Sequence, residues 1–225
     1  MNKKCWICEI EDATTDEHVI MKGAFDRILG KIEKGEEVYF HYDEGKKNIP
    51  VKSYKNTRLT FNKIICNKCN EALTQPFDNE FLLFIERLQN SKNLIIARNK
   101  FSLTPFNKTN LALYFIKIFG CLLESSGAFI SENDRYLFRL SILGNKVLTN
   151  NVYISLHRDI NLLANKNTKL ISSHPVFGNG FRSWLIDLNW ISLLVSYPIS
   201  PLQREYGEQW NLKHKKQVLN IGKRM

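Results

Sequence analysis

The sequence predicts an α+β chain in two parts, and three observations carry that prediction. Two Cys-x2-Cys pairs, Cys5/Cys8 and Cys66/Cys69, bracket a polar, charged amino-terminal region. Near Pro76 the composition shifts to sequence rich in Phe, Leu and Ile, beginning "FDNEFLLFIERLQN". After Gly144 the periodicity changes from the 3.6-residue spacing of helices to the alternation of strands. The expected layout is a small cysteine-stapled module over 1–80, followed by a domain of helices and an antiparallel sheet over 81–225.

Each element has its own signal. Val38 to Tyr42, "VYFHY", reads as a short strand, and the surrounding glycines and lysines of "KGEEVYFHYDEGKKNIPVKSYKNTR" read as a phosphate-facing loop insertion. Phe81, Leu82, Ile85 and Leu88 recur at helical spacing, as do Leu111, Tyr114, Phe115, Ile118, Phe119 and Leu122. A third helix is expected from about Glu132 to Leu143, with Ser131 as its N-cap and Gly144 just past its end. "NVYISLHRD", "TKLISSHPVF" and "SWLIDLNWISLLVSYP" alternate and are separated by turns bearing Asn and Gly, which predicts an antiparallel sheet. The basic tail "NLKHKKQVLNIGKRM" reads as a short helix or a flexible arm. Cys121, inside an apolar run, reads as core packing.

Composition narrows the partners. A 44% hydrophobic content and only six prolines in 225 residues argue for a folded chain. Lys and Arg number 32 against 22 Asp and Glu, and the resulting charge of +10 makes nucleic acid the first partner to consider and an anionic membrane surface the second. Lys117, Glu124, Asp187 and Asn189 interrupt the longest apolar stretches, so no membrane span of about 20 apolar residues is expected. The amino terminus "MNKKCWICE" lacks the apolar core of a secretory signal. A cytoplasmic location follows as the expectation, and there paired cysteines are more often metal ligands than disulfides.

Four thiolates in two knuckles suit structural Zn²⁺, because a two-residue spacer lets both sulfurs of one turn face one ion. The competing readings are two unrelated pairs of small buried residues, or a redox dithiol. Neither pair sits in the βαβ context that a thioredoxin-like dithiol has. Zinc closed by four sulfurs has no open position for chemistry, so any catalysis needs another centre.

The stretch "TTDEHVI" places Glu17 and His18 side by side after the first knuckle, and "NKIICNKCN" places Asn70 directly after the fourth cysteine. This arrangement resembles the HNH, or ββα-metal, endonucleases, and within them the zinc-bearing branch that includes phage recombination endonuclease VII. The resemblance covers residues 5 to 80. It implies a treble-clef-like β-hairpin and helix gripping one divalent ion, with Glu17, His18 and Asn70 at the active positions and Asn62 as a looser match to the middle residue of the motif. The chain departs from the family where it has Glu for the commoner Asp and runs "EHVIMKG" without the usual proline.

Residue chemistry agrees with those roles. A carboxylate and an amide oxygen, from Glu17 and Asn70, are hard ligands suited to Mg²⁺ or Mn²⁺. Imidazole titrates near neutral pH, so His18 suits a general base acting on water. Plainer alternatives stand beside each: an acidic surface turn at Asp16-Glu17, a helix N-cap at Asn70, a turn residue at Asn62. Asp78 reads as an N-cap or a distant further ligand. His41, His157, His174 and His214 have no recognisable partners. Eleven cations between Lys22 and Lys68 would bind phosphates without reading bases. Trp184, Trp190 and Trp210 suit either base stacking or a core.

The expected function is therefore a metal-dependent DNA endonuclease of phage defence or a mobile element, with RNA as the alternative substrate and a second copy or a regulatory protein as further partners. The competing expectation is a zinc-ribbon module that binds nucleic acid or acts as a regulator without catalysis.

Overall fold

The computed structural model describes residues 3–30, 38–42, 49–50, 59–129, 131–149, 151–159, 169–178, 181–198, 209–213 and 216–224. Two strands near the amino terminus, β1 (Thr15–His18) and β4 (Thr60–Ile65), pair antiparallel. Between them come α1 (Lys22–Leu29), which buries Ala24, Phe25, Ile28 and Leu29, and strands β2 (Val38–Tyr42) and β3 (Ile49–Pro50). A π-helical turn, Lys68–Leu73, follows β4 and leads into α2 (Gln75–Asn90), α3 (Lys92–Arg98) and β5 (Lys100–Ser102). Next are α4 (Lys108–Ser125) and α5 (Glu132–Leu143). The carboxy-terminal strands are β6 (Tyr153–Asp159), β7 (Lys169–Gly178), β8 (Phe181–Leu188), β9 (Ile191–Pro198), β10 (Trp210–Asn211), β11 (Val218–Asn220) and β12 (Gly222–Arg224).

The central sheet runs β10-β6-β9-β8-β7-β2-β3, with β12 joining β6 in parallel. Its four long strands are antiparallel, as their alternation predicts. Asn189 at φ 63° turns the chain between β8 and β9, a backbone conformation that Asn tolerates better than most residues. β2 adds a parallel strand against β7, so the "VYFHY" strand extends the carboxy-terminal sheet. The rest of that basic insertion lies outside the described residues, apart from β3.

Helix α5 has the predicted bounds, and the Ser131 hydroxyl accepts from the Asp134 N–H as its cap. The tail differs from its expectation. Where a helix or free arm was expected, β11 pairs with β5 and β12 with β6, because Leu219 and Ile221 are apolar enough to be buried. The tryptophans also resolve toward one alternative. Trp184, Trp190 and Trp210 are all buried, so they belong to the core and offer no face to a base. Trp190, in the β8–β9 turn, donates to Gln89 Oε1 at 3.1 Å and fastens the turn to the end of α2.

Helix α4 buries every residue from Leu111 to Leu123, the signature of a helix surrounded by protein. One continuous core joins it to both regions of the sequence. Trp6, inside the first knuckle, lies against Gly120 of α4, where an added Cβ would come within 2.3 Å of the ring. Arg139 on α5 donates to the Ile7 carbonyl at 3.0 Å and pairs with Glu9, while Arg135 joins Glu9 to Glu124.

Gly120→Ala is expected to lose about 1–2 kcal/mol of stability by denaturant unfolding, because overpacking against a fully buried indole outweighs the gain in helix propensity. An increase in stability would show that Trp6 yields freely.

Candidate functional site

The cysteines converge although the two knuckles are far apart in sequence. The Sγ atoms of Cys5, Cys8, Cys66 and Cys69 all lie within 4.8 Å of one another, and all four thiols are free of disulfides. Cys8 and Cys66, 58 residues apart, bring their sulfurs to 3.8 Å. Tetrahedral coordination with metal–sulfur bonds of about 2.3 Å requires sulfurs about 3.8 Å apart, so the cluster fits a metal ion such as zinc. Main-chain bonds shape the pocket. Cys5 N–H donates to the Glu11 carbonyl at 2.9 Å and Trp6 N–H to the Ile64 carbonyl at 3.0 Å. Glu9, at φ 58°, closes the first knuckle by donating to the Cys5 carbonyl at 2.8 Å. A hydrogen bond with Cys69 pulls the Cys5 thiol down to about 4, against burial, and pushes Cys69 the other way; thiol protons of such a cluster are released when a metal binds.

From this cluster the chain leads both ways to the residues singled out in the sequence. β1 pairs with β4 so that Glu17 lies opposite Phe61 and His18 opposite Thr60. The pairing slips between Thr15 and Glu17, and Lys63, at φ 36°, takes up the slack as a bulge. Its N–H is held by Asp16 Oδ1 at 3.0 Å. Bulges of this kind re-aim side chains beside functional sites.

Successive residues of a strand face opposite sides. Glu17 turns inward and is 7% exposed, while His18 is half-buried on the other face. Asn62 is exposed, and the pleat places it on the His18 face of β4.

The partner of Glu17 is a residue that the sequence reading passes over. Lys117, on α4, has no exposure, and its Nζ stands 3.0 Å from Glu17 Oε1. The same ammonium donates to Asp78 Oδ1 at 2.7 Å, to Asp78 Oδ2 at 3.0 Å and to Thr74 Oγ1 at 3.4 Å. Burial would lower the Lys117 pKa, but the two carboxylates outweigh it and raise it, so the lysine stays charged. Burial pushes the Asp78 carboxyl up to about 6, with Lys117 acting in the opposite sense. Asp78 is therefore not a cap. Thr74 occupies the N-cap position of α2, and Asp78 sits in its first turn as the counterion of Lys117.

Asn70 lies inside the π-helical turn, which closes its N-cap alternative. Its N–H donates to the Cys66 carbonyl at 3.0 Å, and its carbonyl accepts from Thr74 Oγ1 at 3.0 Å. Among the described residues its side-chain amide has no hydrogen-bond partner. Two hydrogen bonds thus connect the Asn70 main chain to the ammonium that faces Glu17.

Of the eleven sequence-predicted phosphate contacts, Lys22, Arg27, Lys63 and Lys68 are exposed, and the other seven lie outside the described residues. Among the four remaining histidines, His157 and Ser155 Oγ lie 2.9 Å apart, and His174 approaches Asp187 at 3.5 Å. Asp187 also accepts from Ser172 and Ser192. The His41 side chain and all of His214 lie outside the described residues. Comparison with known protein families, characterised proteins and solved structures finds no match to this chain. Among the described residues, no helix is long and apolar enough to cross a membrane.

Removal of bound metal by a strong chelator is expected to lower the melting temperature by about 10 °C or more, because Cys5 and Cys66 would no longer be tied together. Circular dichroism checks this, and unchanged melting after complete removal would contradict a structural metal.

Proposed function

We propose that the chain is a metal-dependent endonuclease of the HNH type that hydrolyses phosphodiester bonds in DNA, with Zn²⁺ in the four-cysteine cluster as its structural clamp. The observation that carries this reading is the convergence of both knuckles on one point. One knuckle leads within the same polypeptide to Glu17-His18 on β1, and the other leads directly into Asn70. The antiparallel pairing of β1 with β4, followed by the π-helical turn that carries Asn70 and by α2, supports this reading.

In this reading Glu17 and the Asn70 side-chain amide would hold Mg²⁺ or Mn²⁺. When bound, such an ion supplies Lewis-acid stabilisation of the charge that develops on the phosphate and the leaving oxygen. His18 takes the proton from the attacking water. Because His18 is the last residue of β1 and half-buried, a phosphate at the strand end would meet its imidazole, with the ion bridging from that phosphate to the inward-facing Glu17. Asn62, on the His18 face of β4, would orient the imidazole or the water. Lys22, Arg27, Lys63 and Lys68 add phosphate contacts that carry no sequence preference.

One observation favours a second reading, a zinc-bearing module that binds nucleic acid without cutting it. The Lys117 ammonium already neutralises Glu17, so that carboxylate has a partner without any divalent ion.

Supercoiled plasmid incubated with the purified chain and Mn²⁺ or Mg²⁺ separates the two. Nicking is expected from the parent, with a rate loss of about 10²–10⁴ in His18→Ala and an unchanged zinc content. A gel shift without nicking supports the binding module, and equal nicking by His18→Ala removes the imidazole from the mechanism.

A further inference from the structure

We infer that Lys117 is the resident cation of the candidate site, a positioning residue that orients Glu17 and keeps Asp78 from coordinating an incoming divalent ion. The inference rests on the reading of Glu17 as a ligand of that ion. Lys117 is fully buried midway along α4, 3.0 Å from Glu17 Oε1 and 2.7 Å from Asp78 Oδ1. An ammonium has three donors and no acceptor, and three residues face it here, Glu17, Asp78 and Thr74. The two carboxylates come from β1 and α2, elements on opposite sides of the second knuckle, so the lysine draws both to one point.

Two carboxylates and one ammonium leave the pocket with one net negative charge, enough to attract a divalent cation while competing with it for Glu17. A neutral residue of similar length at position 117 leaves two buried carboxylates facing each other, an arrangement that a proton or a hard divalent cation must neutralise. Lys117 thus sets the ligand count of the site, with Asp78 excluded as long as its carboxylate is bound to the ammonium.

The test is Mn²⁺ binding to the zinc-loaded full chain, read by calorimetry and by melting temperature with and without Mn²⁺. Lys117→Met is expected to bind Mn²⁺ at least tenfold more tightly than the parent and to gain more in melting temperature from it. The gain should shrink several-fold in the double variant Lys117→Met/Asp78→Asn, where Glu17 is freed but position 78 no longer offers a carboxylate. Equal affinity in parent and Lys117→Met, or a gain of the same size in the double variant, overturns the inference. Should Lys117→Met not fold, Asp78→Asn decides. It leaves the ammonium with Glu17 as its only carboxylate partner and should weaken Mn²⁺ binding several-fold, and unchanged binding overturns the inference. None of these readouts requires cleavage, so absence of nicking tests the nuclease reading separately.

Discussion

The structure depends on four sulfurs meeting at one point. Cys8 and Cys66 are 58 residues apart, and the segment between them contributes α1 to the core and β2 to the central sheet. Closing a chain segment of that length loses conformational entropy that a two-stranded ribbon such as β1–β4 recovers only in part. Metal–thiolate bonds would supply the remainder, since their free energy is folding free energy when the site does not exist in the unfolded chain. The β1–β4 ribbon that runs from the cluster has a slipped register, with Lys63 at the bulge.

The second constraint is electrostatic. Glu17, Asp78 and Lys117 form a buried triad where two secondary-structure elements flanking the clamp meet the central helix. Such a group adds little net stability, because desolvation opposes the attraction, whereas removal of one member leaves a buried charge at a penalty of about 3–5 kcal/mol. The triad ties α4 to both β1 and α2 through a single side chain. The Trp6–Gly120 contact and the Arg135 and Arg139 network pin the other end of the knuckle to α4 and α5. Together they lock the clamp to the helices at both ends of the ribbon.

Much of this was legible in the sequence, and the remainder was hidden for physical reasons. The α5 boundaries and cap were readable because capping is local chemistry, decided within three residues of Ser131. The four antiparallel strands were readable from alternation. The three-residue strands β5, β11 and β12 were not, because segments so short have no periodicity of their own and exist through their partners. Asp78 reads in the sequence as a cap or a further ligand because an acid near a helix start is commonly a cap, and its partner Lys117 lies 39 residues away. Lys117 did leave a signal. A lysine inside "LALYFIKIFGCLL" cannot be buried without acids, so its position announced a buried ion pair, although nothing local named Glu17 and Asp78 as the partners.

The candidate site divides in the same way. The knuckle spacing revealed the cluster because Cys-x2-Cys is a local motif that fixes where both sulfurs of a turn point. The pleat, which sends Glu17 and His18 to opposite faces, follows from strand geometry but required knowing that both residues belong to one strand. One metal ion held by all four thiolates would join the two knuckles. X-ray absorption at the zinc edge of the purified chain decides this: one zinc per chain with four sulfurs at about 2.3 Å is expected, and a chain that purifies folded without metal, or with nitrogen or oxygen bound to the ion, rules it out.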